Sequence, residues 1–329
     1  MEFLVGIDGG GTHSRLLAVD LMGNVIGSST GKSTNVESNP LSVVKQNFAM
    51  LVRDFCDTFR RSMSDCAGLC FGTAGVDTES TRRMIELMLD SLNLSCPIKV
   101  VNDAVIALYG DTRGKPGIML ISGTGSIGYG INAEHRTWRV GGFGYIVGDE
   151  ASAYWVARKG ISAALRAYDR SGPATCLVND FCKHLNFSEF DAIVDYVYQK
   201  NKSDLARLNC VVLGAHAKRD AVAVQIMEEA VDCLSLIVST IVRELKMDGA
   251  PYPLLLGGGF LQGSKWLKET LIRRVAQTHP NLVAGSLKTK AEWGAVYMAA
   301  DLVGVTFDQR TETDEPGQPA GAPINAPSF

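Results

Sequence analysis

The sequence has no long apolar segment, no basic block and no metal-binding arrangement of cysteines or histidines. No apolar run approaches the ~20 residues needed to cross a bilayer, and the first residues form a strand-like stretch instead of a signal peptide. The formal net charge is −3, without a lysine or arginine cluster, which argues against nucleic acid and acidic membrane surfaces as partners. The eight cysteines lack CxxC or zinc spacing, so we expect buried free thiols in a reducing cytoplasm.

What the chain does contain is typical of a soluble globular protein with about two domains. It has 329 residues, of which 46% are hydrophobic and 20% are charged. Its most distinctive feature is a set of glycine clusters, each placed at the end of an apolar strand.

The first glycine cluster follows the N-terminal strand. Residues 3–7 are apolar and lead into Asp8, three glycines and Thr12, before a second β-type run at residues 15–19. Three adjacent glycines remove every Cβ from the bend, so backbone N–H groups can approach an anion closely. Asp8 is placed to hold a hydrated Mg²⁺ against phosphate oxygens. An ordinary hairpin turn with a turn aspartate is the alternative.

A second hairpin of the same kind begins about a hundred residues later. Strand residues 117–121 lead into a Gly/Thr/Ser bend at 122–126, and alternating residues 127–131 follow. Residues 123–128 fit the dinucleotide fingerprint literally, but that fingerprint needs a helix directly after the turn, where this chain continues as a strand. Residues 27–33 resemble a P-loop with one residue too few. The two hairpins therefore predict two similar lobes that offer loops to one phosphate chain.

The order of elements predicts the fold class. The first 110 residues read as three meander strands followed by alternating helices and strands, a ribonuclease-H-like α/β layout with ligands at the carboxyl ends of strands. We expect Asn39 to cap a helix that Pro40 opens. A buried strand at 253–256 ends in a third glycine cluster. Residues 171–215 give mixed helical signals without a clear order, and residues 309–329 have little to bury, which predicts a disordered tail.

Two aspartates allow two interpretations each. Asp103 follows the strand at 98–101, and it either caps the helix at 104–109 or accepts the proton of an attacking hydroxyl in phosphoryl transfer. The surrounding glycine loops favour the catalytic role. Asp149 either forms the N-cap of the next helix or accepts a hydrogen bond from a ligand hydroxyl, and the residues alone leave both open.

Six segments together resemble a known family. They are GIDGGGTHS (6–14), STN (33–35), VVNDA (100–104), LISGTGS (120–126), GGFGYIVGDEASAYW (141–155) and LLLGGGF (254–260). In this order and spacing they resemble the N-acetylglucosamine kinases of the BadF/BadG/BcrA/BcrD ATPase family, within the actin/Hsp70/hexokinase superfamily. The resemblance implies an α/β fold of two ribonuclease-H-like lobes with the active site in the cleft between them. It also implies an ATP-dependent kinase that phosphorylates the 6-hydroxyl of an amino sugar.

The resemblance also assigns roles to single residues. It implies Asp103 as the catalytic base and Asp8 as the residue near Mg²⁺. The implied nucleotide contacts are Gly9, Gly10, Gly11, Thr12, Gly123, Thr124, Gly125, Gly257, Gly258 and Gly259. The implied sugar contacts are Asn35, Asp103, Ser126, Gly142, Phe143, Gly144 and Asp149. Residues 214–220 match the family's nucleotide-side stretch only after a shift.

The resemblance also predicts how the chain divides into domains. Residues 1–116 are expected to form the N-terminal lobe, completed by the helix at 290–304, and residues 117–308 the C-terminal lobe. ATP and Mg²⁺ are the implied cofactors, and an amino sugar is the implied partner. N-acetylglucosamine, glucosamine and N-acetylmuramic acid are all compatible with the sequence. A homodimer is expected because it is common in this fold.

Two other classes remain open. The same ATPase family contains activators of dehydratases and reductases, which hold an iron–sulfur cluster through cysteines in a glycine-rich context. No cysteine of this chain has such a context. A sugar-sensing regulator on the same fold is disfavoured because Asp8 and Asp103 are both present.

Overall fold

The computed structural model describes residues 1–36, 38–76 and 78–307. The strands in this part of the chain are β1 (Phe3–Gly9), β2 (His13–Asp20), β3 (Val25–Lys32), β4 (Cys66–Thr73), β5 (Ile98–Val101), β6 (Gly117–Ser122), β7 (Ser126–Ile131), β8 (Thr137–Gly141), β9 (Tyr252–Gly257) and β10 (Leu282–Ser286). The helices are α1 (Leu41–Phe59), α2 (Glu79–Asp90), α3 (Asp103–Thr112), α4 (Ala153–Tyr168), α5 (Leu177–Leu185), α6 (Ala192–Gln199), α7 (Lys202–Arg207), α8 (Asn209–Ala217), α9 (Ala221–Leu245), α10 (Gly259–Gly263), α11 (Lys265–Thr278) and α12 (Ala291–Leu302), with a 3-10 turn at Met63–Asp65. The predicted tail at 309–329 lies outside the described residues.

The chain divides into two compact units. The first contains Met1–Ile106 and the chain from Thr289, and the second contains Ala107–Lys288. The division therefore falls within α3, and α12 belongs to the first unit. The lobe boundaries at 116 and 308 stay predictions. Among the described residues, no helix combines the length and the apolar character that a membrane span requires.

The first unit is built on a five-stranded sheet in the order β3-β2-β1-β4-β5. The first three strands pair antiparallel as a meander, while β4 and β5 run parallel to β1. Phe3, Phe48, Phe55 and Phe71 are among the largest fully buried side chains of its core, where α1 packs its apolar face on this sheet. Helix α12 approaches β1 so closely that a Cβ on Gly6 would lie 2.4 Å from the Val296 backbone nitrogen.

The second unit repeats this topology. Its sheet has the order β10-β9-β6-β7-β8, in which β6, β7 and β8 form the antiparallel meander and β9 and β10 are parallel to β6. The long helix α9 packs along this sheet, and Gly128 and Gly130 make room for Ile237 and Ile241. The two similar ribonuclease-H-like lobes predicted from the sequence are therefore confirmed.

One local expectation is wrong, and the structure gives an order to two segments that the sequence left open. Strand β10 carries no clear strand signal in the sequence, and the region at 171–215 forms the short helices α5 to α8. The expected Asn39 cap is wrong, because Pro40 occupies the N-cap position of α1 without a side-chain hydrogen bond. The Asn39 amide instead donates to Asn35 O at 3.0 Å. Asn39 therefore ties the preceding loop to the helix and does not close its first turn.

Candidate active site

The first glycine bend closes the β1–β2 hairpin at a strand end. Strand β1 ends at Gly9 and β2 begins at His13, which leaves Gly10, Gly11 and Thr12 as the bend. A Cβ on Gly9 would lie 2.4 Å from Thr34 Oγ1 and 2.7 Å from Thr73 Oγ1. Only glycine therefore allows the end of β1 to lie so close to these two threonines. Gly11 and Thr12 are exposed, so their backbone N–H groups can reach a ligand.

Hydrogen bonds fix the polar loop at 33–35 against this bend. The Ser33 hydroxyl donates to Gly10 O at 3.1 Å, and the Thr73 hydroxyl donates to Thr34 O at 3.1 Å. Asn35 is buried, and its Nδ2 would lie 3.7 Å from a Cβ placed on Gly11. The structure thus brings the predicted sugar residue Asn35 to the predicted phosphate bend within one unit.

Asp8 lies in a markedly acidic setting. Burial and the negative charges of Asp103 and Glu292 raise the pKa of Asp8 from 3.8 to about 7, and Arg15 opposes the shift. Glu292 on α12 is buried, and its Oε2 has no hydrogen-bond partner among the described residues. Because the carboxylates outweigh Arg15 and one buried oxygen is unpaired, the surroundings of Asp8 fit a divalent cation. No group of three His, Cys, Asp or Glu side chains in the described ranges is arranged to hold a metal by itself.

Asp103 begins α3, directly after β5. Asn102 is buried, and its Oδ1 accepts a hydrogen bond from the Ala104 N–H at 2.8 Å. Asp103 Oδ1 lies 2.9 Å from the same N–H, so the two side chains share one capping donor. The start of α3 therefore does not depend on Asp103 alone, and Asp103 is a half-buried carboxylate at this strand end.

The second glycine bend closes the β6–β7 hairpin. Ser122 pairs with Ser126, and the Gly123 N–H donates to Gly125 O at 2.9 Å, which makes the turn tight. Thr124 at the tip is exposed. A hydrogen bond that the Ser122 hydroxyl donates to Ala151 O at 2.7 Å ties the bend to the segment before α4.

The third glycine cluster lies against the second bend. Strands β6 and β9 are parallel neighbours, and β9 ends at Gly257. Gly257, Gly258 and Gly259 therefore lie at the same edge of the sheet as Gly123. Gly258 has a φ of +89°, and a Cβ there would lie 2.3 Å from Ser122 O. The structure therefore unites both nucleotide loops predicted for this unit, and glycine is required for their close approach.

The predicted sugar segment follows β8 in the second unit. Gly142 and Gly144 both have positive φ, which turns the chain so that Phe143 is 57% exposed. The Arg139 guanidinium lies 4.4 Å from the centroid of the Phe143 ring. One face of the aromatic ring is thus covered by a cation, an arrangement that leaves an aromatic surface for a ligand.

Asp149 is fully enclosed at the end of this segment, with a side-chain exposure of 4%. Its Oδ1 accepts the Ser126 N–H at 3.2 Å, and its carboxylate lies 2.9 Å from the position of a Cβ on Gly125. The N-cap interpretation of Asp149 is wrong, because Ser152 caps α4 by accepting the Trp155 N–H. The Asp149 carboxylate instead points to the second bend.

The predicted site residues therefore form two groups, one in each unit. The first unit holds Asp8, Gly9, Gly10, Gly11, Thr12, Asn35 and Asp103. The second unit holds Gly123, Thr124, Gly125, Ser126, Gly142, Phe143, Gly144, Asp149, Gly257, Gly258 and Gly259. The Ser126 hydroxyl donates to Glu150 O at 2.6 Å, so its side chain is engaged within the chain.

Sequence reasoning missed two charged residues beside these groups. Glu292 lies on the buried face of α12. A charged residue within an otherwise apolar helix face is a sequence signal that could have identified it. Lys202 lies in the helical region that the sequence left unordered, and its Nζ is 2.7 Å from Asp149 Oδ2. No pattern in the sequence links Lys202 to a residue 53 positions earlier.

A repeated ribonuclease-H-like unit with glycine bends at its strand ends is the fold of actin-like ATPases and sugar kinases. A family model described as the BadF/BadG/BcrA/BcrD ATPase family matches residues 5–295, and the chain belongs to this family. The predicted family is thereby confirmed.

Two relatives that match 91% of the chain carry kinase names. The N-acetylmuramic acid/N-acetylglucosamine kinase of Clostridium acetobutylicum is 35% identical, with 91% of this chain and 98% of that protein covered. The N-acetyl-D-glucosamine kinase of Dictyostelium discoideum is 26% identical over the same shares.

Solved structures agree with the fold. A candidate N-acetylglucosamine kinase from Chromobacterium violaceum superposes with a TM-score of 0.73 at 23% identity, covering 91% of this chain and 99% of that one. The ROK hexokinase of Thermus thermophilus has a TM-score of 0.58 at 14% identity, with 91% and 97% covered. At such identities these structures support the two-lobed sugar-kinase fold alone.

Proposed function

We propose that the protein is an ATP-dependent kinase that phosphorylates the 6-hydroxyl of an amino sugar, with N-acetylglucosamine as the first candidate. The similarity to the clostridial kinase, 35% identity over 91% of the chain, carries this proposal. Glucosamine and N-acetylmuramic acid are the other candidates. Amino-sugar salvage or cell-wall recycling is the metabolic setting that such an activity would serve.

Asp103 acts as the general base in this proposal. Phosphoryl transfer requires positioning, charge stabilisation and an acceptor for the proton of the attacking hydroxyl. A carboxylate at the end of β5 is held by rigid secondary structure, and Asn102 shares the capping of α3. Asp103 would take the proton from the sugar 6-hydroxyl as the oxygen attacks the γ-phosphorus.

ATP would be bound by both glycine bends and by the third glycine cluster. The backbone N–H groups of Gly9 to Thr12 and of Gly123 to Gly125 would neutralise negative charge on the transferring group. Asp8 would hold Mg²⁺, with Glu292 as the second carboxylate nearby, and the ion would supply positive charge beside the phosphates. The close contact of Gly258 with Ser122 would place the nucleotide against its phosphate loop.

The sugar would be recognised by Asn35, the segment at 142–144 and Asp149. The exposed Phe143 ring suits the apolar face of a pyranose. Asp149 and the Asn35 amide supply an acceptor and a donor for hydroxyl and acetamido groups.

A reducing compartment and a homodimer complete the proposal. The reducing compartment is proposed from the cysteine spacing in the sequence. The expectation that the thiols are buried holds for Cys66, Cys70 and Cys96 but is wrong for the exposed Cys210. We propose a dimer because homodimers are common in this fold, and sedimentation velocity of the purified chain would test it.

The function can be tested by ADP release over a panel of hexosamines, their N-acetyl and lactyl derivatives, and hexoses. Rapid sugar-dependent ADP release with an amino sugar supports the kinase, whereas ATP hydrolysis without sugar dependence would favour the ATPase-activator class. Asp103→Asn should retain sugar and ATP binding but lose at least about 99% of turnover. Asp90→Asn, an exposed change on α2, is the matched control. More than about a tenth of the wild-type rate in Asp103→Asn would exclude general-base catalysis of this size.

A further inference from the structure

Lys202 stands apart from the residues that the function already uses. It is the first residue of α7, within the helices that lie between α4 and α9. Its ammonium lies 2.7 Å from Asp149 Oδ2 and 5.6 Å from the centroid of the Tyr145 ring. The side chain of Lys202 is 24% exposed and that of Asp149 is 4% exposed, so the pair is largely removed from water. A charge contact of this kind ties the helical region to the predicted sugar segment.

The two oxygens of Asp149 have different surroundings. Oδ1 accepts the Ser126 N–H at 3.2 Å and thereby holds the second glycine bend. Oδ2 meets the positive charge of Lys202, but no aligned hydrogen bond reaches it from the described residues. The Asp149 carboxylate is therefore held inside the protein by the Ser126 N–H on one oxygen and by the Lys202 charge on the other.

The backbone around Asp149 needs external support. Asp149 and Ala151 both have a φ of +60°, a left-handed conformation that non-glycine residues seldom adopt. Such residues persist only where neighbouring contacts fix them. The Ser126 hydroxyl donates to Glu150 O at 2.6 Å, and the Lys202 ion pair anchors the Asp149 side chain. Loss of Lys202 would leave an uncompensated buried charge at a strained position.

We propose that Lys202 is a positioning residue for the sugar. It neutralises the buried Asp149 carboxylate and fixes its orientation, so that Oδ1 holds the Ser126 N–H and the segment at 142–149 keeps the conformation that the amino sugar meets. The ion pair therefore links sugar recognition to the second phosphate bend. The sugar part of this inference rests on the proposed kinase function, whereas the support of the Ser126 N–H does not.

Three single variants test the role of Lys202. In Lys202→Met, the sugar dissociation constant measured by calorimetry without ATP, and the KM for sugar, should both rise about tenfold to a hundredfold, as expected for losing a charge-assisted contact. The KM for ATP should stay within about twofold. Lys202→Arg should restore sugar affinity to within about threefold. Lys200→Met, which removes an exposed lysine near Tyr196, should behave as wild type.

Two further measurements separate positioning from direct contact or misfolding. Hydrogen exchange of the peptide containing Ser126 should accelerate in Lys202→Met, whether or not the protein proves to be a sugar kinase. Adding Lys202→Met to Asp149→Asn should cause little further loss of sugar affinity, because both changes remove the same arrangement. The double variant replaces the ion pair by a neutral pair and leaves no buried charge unpaired. If Lys202→Met alone does not fold, the double variant can be compared with Asp149→Asn instead.

Several results would overturn the proposal. Wild-type sugar affinity and wild-type exchange at Ser126 in folded Lys202→Met would refute it. Loss of affinity confined to N-acetylmuramic acid would show instead that Lys202 contacts the acidic substituent directly. Fully additive effects of the two substitutions would also contradict it. If the wild-type protein phosphorylates no amino sugar, the kinase proposal fails, and the exchange result still decides whether Lys202 positions Asp149.

Discussion

Replacing Asp8 by asparagine should stabilise the ligand-free protein while it abolishes catalysis. Burial and the charges of Asp103 and Glu292 raise the pKa of Asp8 from 3.8 to about 7. Between these two pH values the unfolded chain has released its proton and the folded chain retains it. The free energy of unfolding contributed by this group therefore falls as pH rises through this range and levels off above pH 7.

The magnitude follows from the two pKa values of Asp8. Each unit of pKa difference corresponds to about 1.4 kcal/mol, so the ionised Asp8 carboxylate costs the folded state about 4 kcal/mol at pH 8. At pH 5 the cost is smaller by about 2 to 3 kcal/mol. Asp8→Asn removes the charge and keeps the shape, so its stabilising effect should grow by this amount between pH 5 and pH 8.

Urea unfolding at the two pH values, with a chelator and without nucleotide, measures the effect. Hydrogen exchange of β1 and β4 peptides localises it to the first unit. The matched control is Asp54→Asn, an exposed change on α1 that should show no comparable pH dependence. Phosphoryl transfer by Asp8→Asn should fall at least about a hundredfold, because the charge that supports Mg²⁺ is lost. Equal stability changes at both pH values, or destabilisation at pH 8, would refute the reasoning.

Two further substitutions test the nucleotide and sugar surfaces. Gly258→Ala should raise the KM for ATP at least about tenfold, because φ is +89° and the new methyl group would meet Ser122 O, while Gly263→Ala, with no neighbour within 4 Å, should leave it unchanged. An unchanged KM for ATP in Gly258→Ala would contradict the assigned loop. Phe143→Ala should raise the KM for sugar about threefold to tenfold without changing that for ATP, and Tyr198→Ala, an exposed residue elsewhere, is its control. An equal rise in both constants would argue against a sugar platform at Phe143.

Local patterns are sufficient to predict the repeated fold. An apolar strand, a glycine bend and a second strand are contiguous in the chain, so residue order alone indicates both hairpins. Parallel partners such as β10 are harder to predict, because the residues at 282–286 form a short half-exposed edge strand whose pairing with β9 depends on tertiary contacts. The helices at 177–217 are short, and their order depends on packing against α4 and α9.

Site residues can be predicted from the sequence where they lie at the end of a predicted strand. Asp8 lies at the end of β1 and Asp103 comes shortly after β5, so strand ends alone locate them. The N-cap interpretation of Asp149 fails because an aspartate shortly before a helix resembles a cap, whereas Ser152 performs that role and Asp149 turns into a left-handed conformation. Lys202 could not be found from sequence, since an ion pair between distant helices and loops leaves no periodic or spacing signal.

The most direct test of the account is the identity of the product and its dependence on Asp103. Phosphorus and proton NMR of the reaction mixture with N-acetylglucosamine and ATP should show phosphate coupled to the C6 protons. The same mixture with Asp103→Asn should show bound substrates and almost no product. Phosphate on another hydroxyl, or undiminished product from the variant, would contradict the claim that Asp103 activates the 6-hydroxyl of an amino sugar.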